Sequence, residues 1–464
     1  MLSLWTSFHF DDYSVLSGNV WRTLWTRPLT ALTFWFSRAL GDSNPLDYHA
    51  INLALHLVAV ILLFDALRLL IKERAAFIAA LIFAVHPIQA EAVDYVFARS
   101  SGLDTVLCLA ALLAWIRGRH WRAVAWFGAA LLAKEESVSF PVFVWLLTLA
   151  ISPAEWKQRM KPIAAMLMLA LAAGLWVFIE ANITPGSQGA AQAGITVRDY
   201  FLAEGPAILR YLRLLMVPWG LNVDPDIPVP PAWLGAVAWL AIAAICALAT
   251  RRFARAGPGF WFIGGIVLLL PSSSIFAATD LAADRRMYLP MIAIAACIGL
   301  LLKRVSPAVV AAIAVVLIGL SIQRTLVWRT ETTLWTDAVE KSPNKVRTKI
   351  QLARYSEPAR ALELLGEASK LAPEDARIPQ EAGRIYLQSG DNARALSEFG
   401  RALALNPRSA EALNNRGAAL LALGQRDAAV QDFERALEMD PCQRDARANL
   451  AHLGVNRPAP AGCE

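Results

Sequence analysis

The 464-residue chain has little charge. Asp, Glu, Lys and Arg make up 18% of it against 56% hydrophobic residues, and a mean hydropathy of +0.44 is too high for an ordinary soluble protein of this length. Cysteine is scarce and scattered: Cys108, Cys246, Cys297, Cys442 and Cys463 include no CxxC and no pair at metal-ligand spacing. Three of them fall in apolar runs, so packing is their expected role. The opening residues do not read as a cleavable-leader pattern, because His9, Asp11 and Asp12 interrupt the first apolar letters. The net charge of +6 calls for no nucleic acid. Much of the Lys and Arg sits in short links beside apolar runs, where lipid headgroups and the positive-inside bias account for it.

What is present is a succession of apolar runs, at 50–70, 75–90, 101–116, 122–133, 137–151, 162–180, 232–250, 259–276, 288–302 and 307–323. Several are shorter than the roughly 20 residues of a perpendicular span. The basic links between them are Arg68, Lys72 and Arg74; Arg117, Arg119 and Arg122; Lys157, Arg159 and Lys161; Arg251, Arg252 and Arg255; and Lys303 with Arg304. Threading the ten runs in order puts all five links on one side, which the positive-inside rule makes cytoplasmic. The other side then holds residues 1–49, the links near 91–100 and 134–136, the stretch 181–231, the link 277–287 and everything after about 324. A chain that starts outside means either an unusual start or a preceding span missing from this sequence. The expected architecture is all-α: a polytopic domain over 1–330, a repeat domain over 331–454 and a loose Pro-rich tail over 455–464.

The repeat domain has the sharpest short-range signal. Gly383, Ala395, Phe399, Ala402 and Pro407 recur 34 residues later as Gly417, Ala429, Phe433, Ala436 and Pro441, the tetratricopeptide pattern of small residues at a helix crossing and Pro closing the second helix. Ala361, Leu365, Ala368 and Pro373 make a weaker copy whose first helix, near 344–355, lacks the Gly, and 445–453 reads as a cap. Stacked pairs of this kind offer a concave face for an extended polypeptide, or simply brace the membrane domain.

Four polar groups interrupt the apolar pattern on the non-basic side. His9-Phe10-Asp11-Asp12-Tyr13 sets two adjacent carboxylates in the first loop, followed by Arg27-Pro28-Leu29 and by Tyr48-His49, Asn52 and His56 running into a span. Polar groups there should face a cavity, or be satisfied by a neighbouring carbonyl. His86-Pro87 through Glu91, Asp94 and Arg99 marks the end of the next run, where Pro87 turns the chain. Lys134-Glu135-Glu136 lies between two short runs, and such charges cannot sit in lipid. Asp280, Asp284, Arg285, Arg286 and Tyr288 precede Pro290. Two adjacent Arg on this side oppose the positive-inside bias, and their forks suit a phosphate or pair with Asp284. The Gly-rich part of the long loop, Gly186–Gly194, reads as mobile, and Tyr200–Val217 reads as a helix at the interface or a packing helix.

In this order, these residues resemble the transmembrane and tetratricopeptide-repeat O-mannosyltransferase-like proteins, and more distantly the protein O-mannosyltransferases of the C-type glycosyltransferase fold. The likeness rests on Phe10-Asp11-Asp12, Arg27-Pro28-Leu29, the series from Tyr48 to His56, His86-Pro87 to Glu91, Ala133-Lys134-Glu135, Arg286-Met287-Tyr288-Leu289-Pro290 and the repeat tail. The resemblance implies transfer of a sugar from a polyprenyl-phosphate carrier to a hydroxyl acceptor, with Ser or Thr of a protein expected, on the extracytoplasmic face. It puts the catalytic acid on Asp11, and the span that the family carries before that loop is absent from this sequence. A hydroxyl is a poor nucleophile, so Asp11 would act as general base, with Asp12 as second choice or as a metal ligand. The charge developing on the departing phosphate would fall to Arg285 or Arg286, helped by Lys134 or His86. Arg27, His49, His56, Glu91, Glu135 and Tyr288 complete the expected substrate-binding set. A divalent cation is the one cofactor left open. A flippase of lipid-linked sugars and a scaffold that gathers envelope proteins on its repeats are the alternatives. The expected partners are the lipid-linked donor, an acceptor protein and membrane lipid, and the expected address is a bacterial inner membrane with the repeats in the periplasm.

Overall fold

The computed structural model describes residues 2–10, 12–13, 24–41, 44–183, 195–273, 280–460 and 463. Gly186–Gly194 lies outside the described residues. Among those described the regular structure is helical, without a strand, and the chain divides into two compact units, Met1–Leu334 and Trp335–Glu464.

In the first unit all ten apolar runs form helices. After α1 (Pro28–Gly41) come α2 (Pro45–Leu67), α3 (Glu73–Val85), the short α4 (Ala90–Asp94), α5 (Arg99–Ile116), α6 (His120–Ala133), α7 (Phe140–Ile151) and α8 (Met160–Ile183). Then follow α9 (Val197–Met216), α10 (Ala232–Thr250), α11 (Pro258–Leu269), α12 (Met291–Leu302) and α13 (Pro307–Val327). Local chemistry starts several of them. Asn44 caps α2 by accepting from the Leu46 N–H, with Pro45 at the first turn, and Ser306 with Pro307 does the same for α13. A reciprocal Thr196 and Asp199 capping box opens α9.

Among the described residues five helices are long and apolar enough to cross a bilayer: α2, Val96–Ile116, Met160–Glu180, α10 and α13. A sixth results if α3 and Pro87–Asp94, bent by 50°, count as one broken span. The bend follows from chemistry at one point, since Pro87 has no N–H and His86 before it is extended. The helices α6, α7, α11 and α12 have 12 to 14 residues, about 18 to 21 Å at 1.5 Å per residue. They reach across the bundle only together with the irregular segments at their ends.

Side-chain contacts bring the links of one kind together. Arg74 donates to the Val305 carbonyl, and Arg252 shares a surface cavity with Lys303 and Arg304. At the opposite ends of the same helices, Arg285 reaches Glu91, Arg27 reaches Glu135 and Lys134 reaches Ser101. The bundle thus has a basic end and an end where acids and Arg meet.

The segment read as an interfacial or packing helix is α9, and it packs. Gly205 and Gly235 let it close on α10: a Cβ on Gly235 would lie 2.9 Å from the Leu202 carbonyl oxygen. Tyr200, Glu204, Ala207 and Tyr211 face the core.

The second unit stacks α15 (Val346–Arg354), α16 (Pro358–Leu371), α17 (Arg377–Gln388), α18 (Asn392–Leu405), α19 (Ala410–Ala422), α20 (Arg426–Met439) and α21 (Arg444–His452), after α14 (Glu331–Lys341) leads into it. Each repeat glycine sits under a phenylalanine. A Cβ on Gly383 would meet the Phe399 ring at 2.8 Å, and one on Gly417 would meet Phe433 at 2.7 Å. Where the weaker first copy lacks Gly, 34 residues before Gly383, Lys349 is buried and paired with Glu367. Two expectations are corrected here. Cys442 and Cys463 are not packing residues; they form a disulfide, with Cα atoms 5.0 Å apart. The tail that looked loose is therefore tied back to the start of the capping helix, a pairing that a 21-residue separation does not advertise in sequence.

Candidate active site

Asp11 falls outside the described residues. Its neighbour Asp12 is fully buried, with Oδ2 accepting from the His9 N–H at 2.9 Å and Oδ1 from the Phe97 N–H at 2.6 Å. Asp12 thus closes the turn at 9–12 and fastens it to the segment before α5. His9 is equally buried; its Nε2 lies 2.7 Å from the Trp328 carbonyl oxygen and its Nδ1 3.4 Å from Glu331.

The break between α6 and α7 supplies the next layer. Lys134 ends α6 in extended conformation and a short 3-10 turn, Glu135–Ser139, follows. Arg27, at the start of α1, grips Glu135 with both fork arms, Nε at 2.9 Å and Nη2 at 2.5 Å. Thr30 donates to the Ala133 carbonyl and secures the contact. Burial alone would raise the Glu135 carboxyl, but the charge and hydrogen bonds of Arg27 hold it down to about 2. Lys134, itself buried, pairs with Glu136 at 2.7 Å and donates to Ser101. Burial lowers its ammonium below the ordinary lysine range, with Glu136 pulling the other way.

The Asp284–Met287 turn brings the paired arginines. Arg286 donates to Glu204 of α9 at 3.1 Å and to the Asp280 carbonyl at 2.6 Å. Glu204 is fully buried, and burial raises its carboxyl against the pull of Arg286. Arg285 holds Glu91 at 2.6 Å, while its other arm is 3.6 Å from Asp280. The sequence alternative that pairs these arginines with Asp284 does not hold, because Asp284 is taken by Arg210 at 2.7 Å.

A cavity of about 170 Å³ joins these layers: Glu135, Glu136, Tyr200 and Arg286 line it together with Gly174 and Val177 of α8. Every cation around it has a carboxylate partner. An anion entering the cavity would have to compete with Glu204 for Arg286; Arg285, outside the lining, is partly exposed, with one arm on Glu91 and the other 3.6 Å from Asp280. Among the described residues no group of three His, Cys, Asp or Glu has the placement to hold a metal ion.

The histidines and Tyr288 stand apart from this cavity. His56 donates from Nε2 to the Ala84 carbonyl, so its Nδ1 accepts from the Tyr288 hydroxyl at 2.7 Å. His86 donates to the Leu215 carbonyl and accepts from the Ile88 N–H, and His49 meets Thr6. His56 and His86 line a second cavity of about 380 Å³ with Gln89 and Asp94. Asn52 binds the Val93 and Tyr95 carbonyls and accepts from Arg99, whose other arms hold Thr33, Ser37 and Tyr48. These are satisfied polar clamps on the helix packing.

The substrate-binding set drawn from sequence leaves out Glu136 and Tyr200, which line the cavity, and Glu204, which holds Arg286 from behind. The signal was present: after the Thr196 and Asp199 cap, Tyr200, Glu204, Ala207 and Tyr211 follow at spacings of four, three and four, one face of a helix.

A family model described as tetratricopeptide repeat matches residues 382–453. The chain is 34% identical to Protein O-mannosyl-transferase TMTC3 of Mus musculus over 141 residues, 25% of this chain and 15% of that protein. It is 25% identical to Protein O-mannosyl-transferase F38B6.6 of Caenorhabditis elegans over 374 residues, 74% of this chain and 52% of that one. With human Protein O-mannosyl-transferase TMTC1 the identity is 42% over 92 residues, 19% of this chain and 10% of that one. The matches span about half the length of these relatives or less. They bear out the resemblance drawn from the residues.

Proposed function

We propose that this chain, a relative of the transmembrane and tetratricopeptide-repeat O-mannosyltransferase-like proteins, transfers a sugar from a polyprenyl-phosphate carrier to a hydroxyl of a protein acceptor on the extracytoplasmic side. The observation that carries the reading is a cavity at the acid-rich end, walled by a bilayer-length helix and lined by Arg286 and by Glu135 and Glu136, whose partners are Arg27 and Lys134; Arg285 follows from the same turn as Arg286. That wall gives a lipid carrier a way in from the side, with its phosphate arriving beside forked donors.

In this scheme Asp11 orients the acceptor hydroxyl and takes its proton as the bond from sugar to phosphate lengthens. Arg285 leaves Asp280, and in part Glu91, to meet the charge growing on the departing phosphate, assisted by Lys134. Asp12, with both oxygens on backbone N–H groups, serves as the anchor that positions its neighbour. The grouping of basic links at the other end supports a cytoplasmic placement for that end. The Cys442–Cys463 bridge supports an oxidising compartment for the repeats, a periplasm if the cell is bacterial. The repeats, in turn, would present the acceptor chain along their concave face. Membranes carrying the protein, given a radiolabelled polyprenyl-phosphate sugar and a Ser/Thr-rich acceptor, should form alkali-labile labelled protein. No transfer from any such donor would leave the binding roles alone standing.

A further inference from the structure

The basic end of the bundle holds a feature that sugar transfer does not use. The turn from α10 to α11 and the link from α12 to α13 border an open surface cavity of about 420 Å³, lined by Arg252, Lys303 and Arg304 together with Gly257, Pro258, Leu300 and Leu301. No carboxylate lines it, and neither 251–258 nor 299–307 contains an acid. Among the described residues no ion pair involves Arg252, Lys303 or Arg304, whereas Arg68 and Arg159 on neighbouring links have Asp65 and Glu155. Three positive side chains share one concavity without an internal counter-charge, which favours an anion from outside.

The turn that shapes the cavity is held rigidly. Gly259 packs so closely on α10 that a Cβ would fall 1.8 Å from the Ala249 carbonyl oxygen, and its N–H donates to the Arg252 carbonyl. Arg255 and Ala256 are both held in the left-handed region, at φ 57° and 49°, a conformation that non-glycine residues keep only where the surroundings fix it. The position of the cavity selects the anion's source. It sits at the ends of apolar helices, and Leu301, 55% exposed, continues from the cations onto the lipid-facing surface.

We infer that this cavity binds the headgroup of an anionic phospholipid, its phosphate among Arg252, Lys303 and Arg304 and its acyl chains along Leu300 and Leu301. The inference depends on the bundle spanning a bilayer and is independent of sugar transfer. Each cation lining the cavity should contribute roughly fivefold in binding, about 1 kcal/mol.

The test is a titration of the solubilised full-length chain with dioctanoyl phosphatidylglycerol, followed by native mass spectrometry, with dioctanoyl phosphatidylcholine and inorganic phosphate as comparisons. The expected result is saturable phosphatidylglycerol binding, at least tenfold tighter than phosphatidylcholine and not displaced by equimolar phosphate. Lys303→Gln or Arg304→Gln alone should weaken it about fivefold, and the two together about 25-fold. Arg251→Gln, which removes one charge beside the cavity but not in it, should stay within about twofold of the parent. Equal binding of both lipids, displacement by inorganic phosphate, or a loss in Arg251→Gln matching that in Lys303→Gln would overturn the proposal.

Discussion

At the scale of single residues, the candidate site is a set of buried pairs, and this changes what a substitution reports. Arg286 looks from sequence like a free phosphate ligand, yet it neutralises Glu204, which is fully buried. Arg286→Ala leaves that carboxylate without its partner, at an expected cost of about 3 to 5 kcal/mol in stability. Arg286→Ala with Glu204→Gln should recover most of the melting temperature while transfer stays low; a double variant no more stable than the single would show that the pair is not the reason. The pH profile has its own signature. Glu135, held at about 2 by Arg27, contributes stability that is complete above the ordinary carboxylate range and lost only as pH falls through about 2, so it gives no limb at working pH. Lys134 is lowered by burial, so its ammonium is lost below the ordinary lysine range, and its charged form costs stability until then. Transfer should therefore fall on the alkaline side, and Lys134→Arg, which stays charged, should push that limb upward. An unmoved limb would remove Lys134 from the phosphate's surroundings.

At the scale of elements, the period of apolar residues and the punctuation by Pro, Gly and capping side chains were enough to place every apolar run on a helix. The 34-residue recurrence located the repeat crossings as well. Gly417→Ala puts a methyl group against the Phe433 ring, which offers only 2.7 Å, and should destabilise the repeat unit by about 1 to 3 kcal/mol. Hydrogen exchange should rise across α19 and α20; unchanged protection there would mean that Phe433 turns aside at little cost. What sequence left dark were the partnerships between distant elements. Arg27 and Glu135 are 108 residues apart, and Arg285 and Glu91 are 194. Nothing local in Arg285-Arg286 tells that one arginine turns to α4 and the other to α9. Nor does sequence tell a substrate-binding imidazole from a packing one: His49, His56 and His86 are buried with hydrogen bonds to Thr6, Tyr288 and backbone, and either role has the same letter and the same apolar surroundings. The disulfide was hidden because Cys442 and Cys463 flank a helix whose return path only the fold defines.

At the scale of the whole molecule, the two ends of the helical bundle have opposite chemistry: a basic end suited to anionic lipid and an acid-rich end with a cavity walled by a bilayer-length helix. A cysteine-accessibility experiment should find residues near Arg304 protected from, and residues beyond Leu453 open to, a membrane-impermeant reagent added outside; the reverse pattern would invert the sidedness. In the proposed reaction Asp11 takes the proton from the acceptor while Asp12 holds the loop. The most direct measurement is the initial rate of sugar transfer from a saturating polyprenyl-phosphate donor by Asp11→Asn and Asp12→Asn, with membrane levels matched to the parent. A general base contributes about 10²- to 10⁴-fold, or about 3 to 5 kcal/mol. Asp11→Asn should lose that much rate with an unchanged melting temperature, and Asp12→Asn should lose stability first, because its amide cannot accept equally well from both the His9 and Phe97 N–H groups. Near-parent turnover in Asp11→Asn, with the loss falling instead on a stably folded Asp12→Asn, would contradict the account.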